Sequence, residues 1–228
     1  YSQANEFDRA ATDLAEARRL IEAIGRAAPS DDVVVLARAR VLHDLGRHQS
    51  NRSRYADALA LLTDAITEAE RLRPSHAGDA DLLALLADTH AQLGLALSWE
   101  GRQPEAERHM REAAELYEPL VTAQPGDVAL RDGLWSVYWL TSSVYEEQDD
   151  RQAHAFAERV LSLIRPVAIQ DPENVRAQQQ LAKSYSRLGQ TSINLGRGDE
   201  AIGFLRDASR ILGTIASGES RNDRLRSE

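Results

Sequence analysis

Histidine is the side chain best suited to move protons or bind metal near neutral pH, and this chain has six: His43, His48, His76, His90, His109 and His154. His43 and His48 stand five apart, which puts them on different faces of a helix. No His-Glu-x-x-His run occurs, and no His/carboxylate pair is spaced by two turns, so spacing argues against a metal centre. Gly196-Arg197-Gly198 with Gly203 has the glycine content of a phosphate loop. No strand precedes it and no Gly-Lys-Ser/Thr follows, so it reads as a turn. The acidic stretch Glu146-Glu147-Gln148-Asp149-Asp150 lacks the glycine of a calcium loop and reads as a solvated turn. With no cysteine there is no thiolate nucleophile, thiolate metal site or disulfide. No catalytic constellation emerges, so the sequence points to a non-enzyme without cofactor.

The elements that carry these residues are helices. Ala, Leu, Glu and Arg dominate, β-branched runs are few, and aromatics make up 5% of the 228 residues. The net charge of −9 argues against nucleic acid as the main partner, because phosphate binding needs a basic face. No apolar run approaches the ~20 residues that span a bilayer, and no signal peptide is visible, so the expectation is a cytoplasmic protein off the membrane. Lys183 is the only lysine among 27 basic residues, a choice expected of a GC-rich bacterial genome.

One frame recurs along the chain. Ala10, Ala58, Ala106, Ala153 and Ala201 follow one another at steps of 48, 48, 47 and 48 residues. Seven residues after each come Ala17, Ala65, Ala113, Val160 and Ala208. Twelve before the last four come Gly46, Gly94, Thr141 and Gly189, each preceded by leucine. In the last copy Tyr185, Leu188-Gly189, Ala201, Leu205 and Ala208 follow the order of a helix–turn–helix unit that resembles the tetratricopeptide repeat. Small residues in that order remove bulk where two antiparallel helices cross, and large neighbours fill the remaining gap. The resemblance implies an all-α fold, a right-handed superhelical α-solenoid of stacked antiparallel helix pairs. The period is about 14 residues longer than the family's usual 34, so both helices of each pair are expected to be extended at one end. Long repeats of this kind resemble arrays in large multi-domain bacterial proteins, often beside a kinase or other signalling domain.

In this frame the chain is a single array. Residues 2–27 are the second helix of an incomplete unit, with Phe7, Leu14, Ile21 and Ile24 on one stripe. That implies a chain cut from a longer protein. Four helix-pair units follow over 31–73, 79–124, 128–170 and 174–216. Asp31 and Asp171-Pro172-Glu173 read as helix starts, and Pro119 and Pro166 predict a kink or local break. The tail, 217–228, is a short capping helix or a loose end.

The resemblance also implies a function and its residues. First helices of stacked tetratricopeptide units line a concave groove, and the positions flanking the Leu-Gly pair face it. Carried over, these are Arg40, His43, Arg47 and Ser50; Asp88, Ala91, Leu95 and Ser98; Trp135, Tyr138, Ser142 and Tyr145; and Lys183, Ser186, Gln190 and Ile193, with Trp139 and Arg187 one step aside. An apolar side chain would dock on Trp135, Tyr138 and Tyr145 while Arg or Lys meets an acidic neighbour. For the aromatics the alternative is packing between units, favoured for Trp139. His90 takes the family's tryptophan slot and reads as a packed residue. Lys183 and Arg187 match part of a carboxylate clamp found in some members, but Ala91, Leu95 and Trp139 do not. The leading expectation is thus an interaction module that binds a protein or peptide segment. The alternative is a regulatory or sensor segment acting on an upstream domain of its own polypeptide. Apolar ends of the stack imply a tendency to form homo-oligomers.

Overall fold

The computed structural model describes residues 16–26, 30–146 and 148–226, with side chains to residue 217. Every regular element among the described residues is an α-helix. They are α1 (16–26), α2 (Asp32–Asn51), α3 (Tyr55–Glu70), α4 (Ala80–Trp99), α5 (Gln103–Ala123), α6 (Val128–Tyr145), α7 (Asp150–Gln170), α8 (Val175–Asn194) and α9 (Gly198–Arg226). None is long and apolar enough to cross a membrane.

Short polar side chains set where the even-numbered helices begin. Asp31 accepts from the amides of Val33 and Val34, Asp79 from Asp81 and Leu82, Asp127 from Ala129 and Leu130, and Asn174 from Ala177. Each satisfies amides that the first turn would leave unpaired, worth about 1 kcal/mol apiece. These caps recur in the 48-residue frame. The cap of α8 is Asn174, whereas Asp171 ends α7; its backbone amide donates to Val167 O at 3.0 Å.

α2 packs on α3, α4 on α5 and α8 on α9, with α3 against α4 and α7 against α8 joining successive pairs. The small-residue columns sit at the crossings. Ala58, Ala106, Ala153 and Ala201, and seven residues on Ala65, Ala113, Val160 and Ala208, are all buried. A Cβ on Gly46 would lie 2.6 Å from Leu62, and one on Gly189 2.7 Å from Leu205. At Gly94 it would lie 3.0 Å from the backbone carbonyl of Ala106. At such distances only a hydrogen atom fits, so glycine sets how closely the helices approach.

The chain divides into two compact units, residues 1–137 and 138–228, with the boundary inside α6. In the first, Val35 and Ala39 of α2 and Leu82 and Leu86 of α4 close over Ala69 and Leu72. In the second, Val160 and Ile164 of α7 and Leu181 and Leu188 of α8 are buried.

Several expectations change. α5 and α7 run on past Pro119 and Pro166 without a break. Each proline lies in the last stretch of its helix, where it removes one bond and the next turn re-forms, as Gln124 N to Leu120 O (2.9 Å) demonstrates. α9 continues to Arg226, so no separate capping helix follows 216. Of the stripe expected over 2–27, Phe7 and Leu14 lie outside the described residues, and Ile24 is exposed while Gly25 is buried.

Candidate functional site

Along α2, Arg40, His43 and Arg47 are spaced by three and four residues and share one face. α4 sets Asp81, Ala84, Leu85 and Asp88 opposite them, and together with Asp44 these residues line a groove of about 490 Å³. Arg40 is 3.8 Å from Asp81, and Arg47 is 3.0 Å from Asp44. The Arg47–Asp44 pair is about half exposed and the Arg40–Asp81 pair more so, so each contributes only ~0.2–1 kcal/mol and either guanidinium can exchange partners.

His43 differs from its neighbours. It is buried, with Nδ1 3.0 Å from Thr89 Oγ1, and that hydroxyl donates to Leu85 O at 2.6 Å. The threonine oxygen is therefore the acceptor and His43 Nδ1–H the donor. Burial pushes the imidazole down to about 4 against the opposing pull of Asp44. This neutral side chain joins α2 to α4 and forms the floor of the groove. Asp88 accepts from the Tyr117 hydroxyl at 2.9 Å, and burial raises its carboxyl above the usual range. Tyr117 in turn crosses Gly133 of α6, where a Cβ would overlap its ring.

In the second unit the predicted groove residues separate into two sets. Tyr138 is buried at 6.0 Å from Phe156, and Tyr145 stacks on the same ring at 5.9 Å and 6°. Arg159 covers both Tyr138 and Phe156, at 5.6 and 5.1 Å from their centroids. These rings hold α6 to α7, so Tyr138 has little surface left for a ligand. Ser142 is buried too, donating to Ala153 O at 2.8 Å. Arg187 pairs with Glu146 at 2.5 Å, donates to Ser143 Oγ at 2.6 Å and lies 4.5 Å above the Trp139 ring. Both of its terminal guanidinium nitrogens are engaged within the fold. Trp139 packs, as the sequence favoured. Lys183 and Gln190 are exposed on α8, Gln190 donating to Asn194 at 3.1 Å. Trp135 is half-buried in the first unit.

A further cluster escaped the sequence reading. His90 of α4 faces His109 and Glu112 of α5, with the three ligand-type atoms 2.9–3.1 Å apart. Burial lowers both imidazoles, His90 to about 4, against the opposing pull of Glu112. The signal available was the one-turn spacing of His109 and Glu112, together with His90 in a slot that faces the second helix.

Residues 86–120, which span most of α4 and α5, match the family model of the tetratricopeptide repeat. That stretch carries a tetratricopeptide repeat. No curated protein sequence matches it. Among solved structures it is similar to the nearly identical TPR-like repeats ascribed to a kinesin light chain of Podospora anserina, with a TM-score of 0.60 and 18% identity. That match covers 94% of this chain and 95% of the other. It is also similar to MamA, with a TM-score of 0.56 at 18% identity over 92% and 94% of the two chains.

Tetratricopeptide repeats generally mediate protein–protein interaction and typically form non-enzymatic scaffolds. In the tetratricopeptide frame, Gly94 and Ala106 mark the α4–α5 crossing, and His90, one turn before Gly94, takes the packed slot. The groove side of α4 is left to Asp81, Ala84, Leu85 and Asp88.

Proposed function

We propose that the chain is a non-enzymatic interaction module whose groove between α2 and α4 binds a peptide or protein segment. One observation carries the reading: Arg40, Arg47, Asp44 and Asp81 meet along one groove, held only by weak exposed pairs, over a floor fixed by His43. Such pairs open at little cost to a ligand carboxylate, and Ala84 and Leu85 offer an apolar patch between them. The groove fits an extended segment that presents a Glu or Asp beside an aliphatic side chain. The segment belongs to another protein or to a neighbouring domain of a larger bacterial polypeptide, and the same contacts serve either source. Lys183 and Gln190, exposed on α8, extend the same use to the second unit.

A peptide array with acidic and aliphatic residues varied in register tests the reading, followed by fluorescence polarisation on the best binder. Arg40→Glu with Arg47→Glu should weaken binding at least tenfold with unchanged circular dichroism, and affinity should fall with added salt. Binding that ignores both substitutions would place the site elsewhere.

A further inference from the structure

On the far side of α4 from the groove, His90 Nδ1, His109 Nδ1 and Glu112 Oε2 form a nearly equilateral triangle. The edges are 2.9 Å between the histidines, 3.0 Å from His109 to the carboxylate and 3.1 Å from His90 to it. Hydrogen bonds alone fit it poorly. Two neutral imidazoles and a carboxylate supply at most two protons for three short edges, so one edge is left as a contact between like groups. One cation satisfies all three atoms at once. At metal–ligand lengths of about 2.1 Å, ligand atoms meeting at right angles are roughly 3.0 Å apart, and at the tetrahedral angle roughly 3.4 Å. The observed edges match the former, one face of an octahedron.

We propose that His90, His109 and Glu112 bind a first-row divalent transition-metal ion, with zinc as the reference case, on one triangular face whose other positions are filled by water. Two imidazoles and one carboxylate suit zinc, cobalt, nickel or iron(II), whereas magnesium and calcium prefer all-oxygen sites. The site has the depth such an ion needs: His90 is buried, the His109 side chain is 13% exposed, and Glu112 at 38% keeps an opening to solvent. Arg108 opposes it by donating to His109 Nε2 at 3.2 Å, which places the proton of His109 on Nδ1. Arg108 is exposed and can swing away, so loading the ion moves the His109 proton from Nδ1 to Nε2 and reverses the tautomer with no net proton released. The ion joins two helices of one repeat, so its effect is to clamp the α4–α5 hairpin.

The test uses the full chain, free of any affinity tag and treated with chelator. Calorimetric titration with zinc should give one equivalent bound at sub-millimolar concentration and a raised thermal midpoint. Cobalt(II) should develop visible absorption bands that zinc displaces. Glu112→Gln and His109→Gln, each with circular dichroism unchanged, should weaken binding at least tenfold and abolish the thermal shift. No stoichiometric binding in the unaltered chain, or binding undiminished in both variants, overturns the proposal; the second result would move the ion to other histidines.

Discussion

His43 spends its hydrogen bond on Thr89 and its volume on the α2–α4 contact, and the energetic consequence follows from its protonation. Its folded value of about 4 lies below the 6.5 of an unfolded chain, so the unfolded state binds the proton more readily in that window. Stability contributed by the neutral imidazole is complete above pH 6.5 and declines as pH falls through the window towards 4. Asp44 and Arg47 on α2 and Asp88 on α4 are the charged groups that face it. Urea unfolding at pH 7 and pH 4.5 should differ by on the order of 2 kcal/mol from this residue. His43→Gln, which keeps a donor, should flatten that dependence. An unchanged pH profile in the variant would assign the loss to other groups. At this scale little was legible in advance. Tyr138, Arg187 and His43 had the right chemistry for a groove, but Phe156, Glu146 and Thr89 lie 18, 41 and 46 residues away in sequence, and those partners decide what each side chain does.

At the level of the helix, the repeating frame was readable because close approach admits only a few residue types. Gly46, Gly94 and Gly189 face Leu62, Ala106 O and Leu205 across crossings where a Cβ would lie at 2.6–3.0 Å. Gly94 is the strictest, since the atom it meets is backbone and cannot rotate away. Gly94→Val should therefore lower stability by about 1–3 kcal/mol, seen as a shift of the urea midpoint with unchanged slope. The same change at Gly78, with open space around it, should do far less. Thr141 fills the glycine column of the third pair and is itself buried, so that crossing has room for a side chain. The tight approach to α6 is at Gly133 instead, eight residues earlier, under the ring of Tyr117. Periodicity could not announce that substitution, because it is a trade between one glycine and one tyrosine outside the frame.

Across the whole molecule, helix content and the order of the pairs followed from composition and the 48-residue period, and the direction of exposed surface did not. The last pair leaves Ile193, Ile202 and Leu212 exposed, the latter two on α9. Apolar repeat faces of this sort attract further protein surface. Ile202→Lys with Leu212→Lys should lower concentration-dependent light scattering while shifting stability by less than ~0.5 kcal/mol. Scattering equal to that of the unaltered chain would clear this face.

The seam between the two compact units runs through the middle of α6, at Val137 and Tyr138, and no linker separates them. A fragment stopped there would strand the carbonyls of its final turn, and one started there would strand the opening amides of its first. A protease hunting for a slack joint between the halves meets hydrogen-bonded backbone instead. Anyone wishing to study either half alone must carry the entire helix with it.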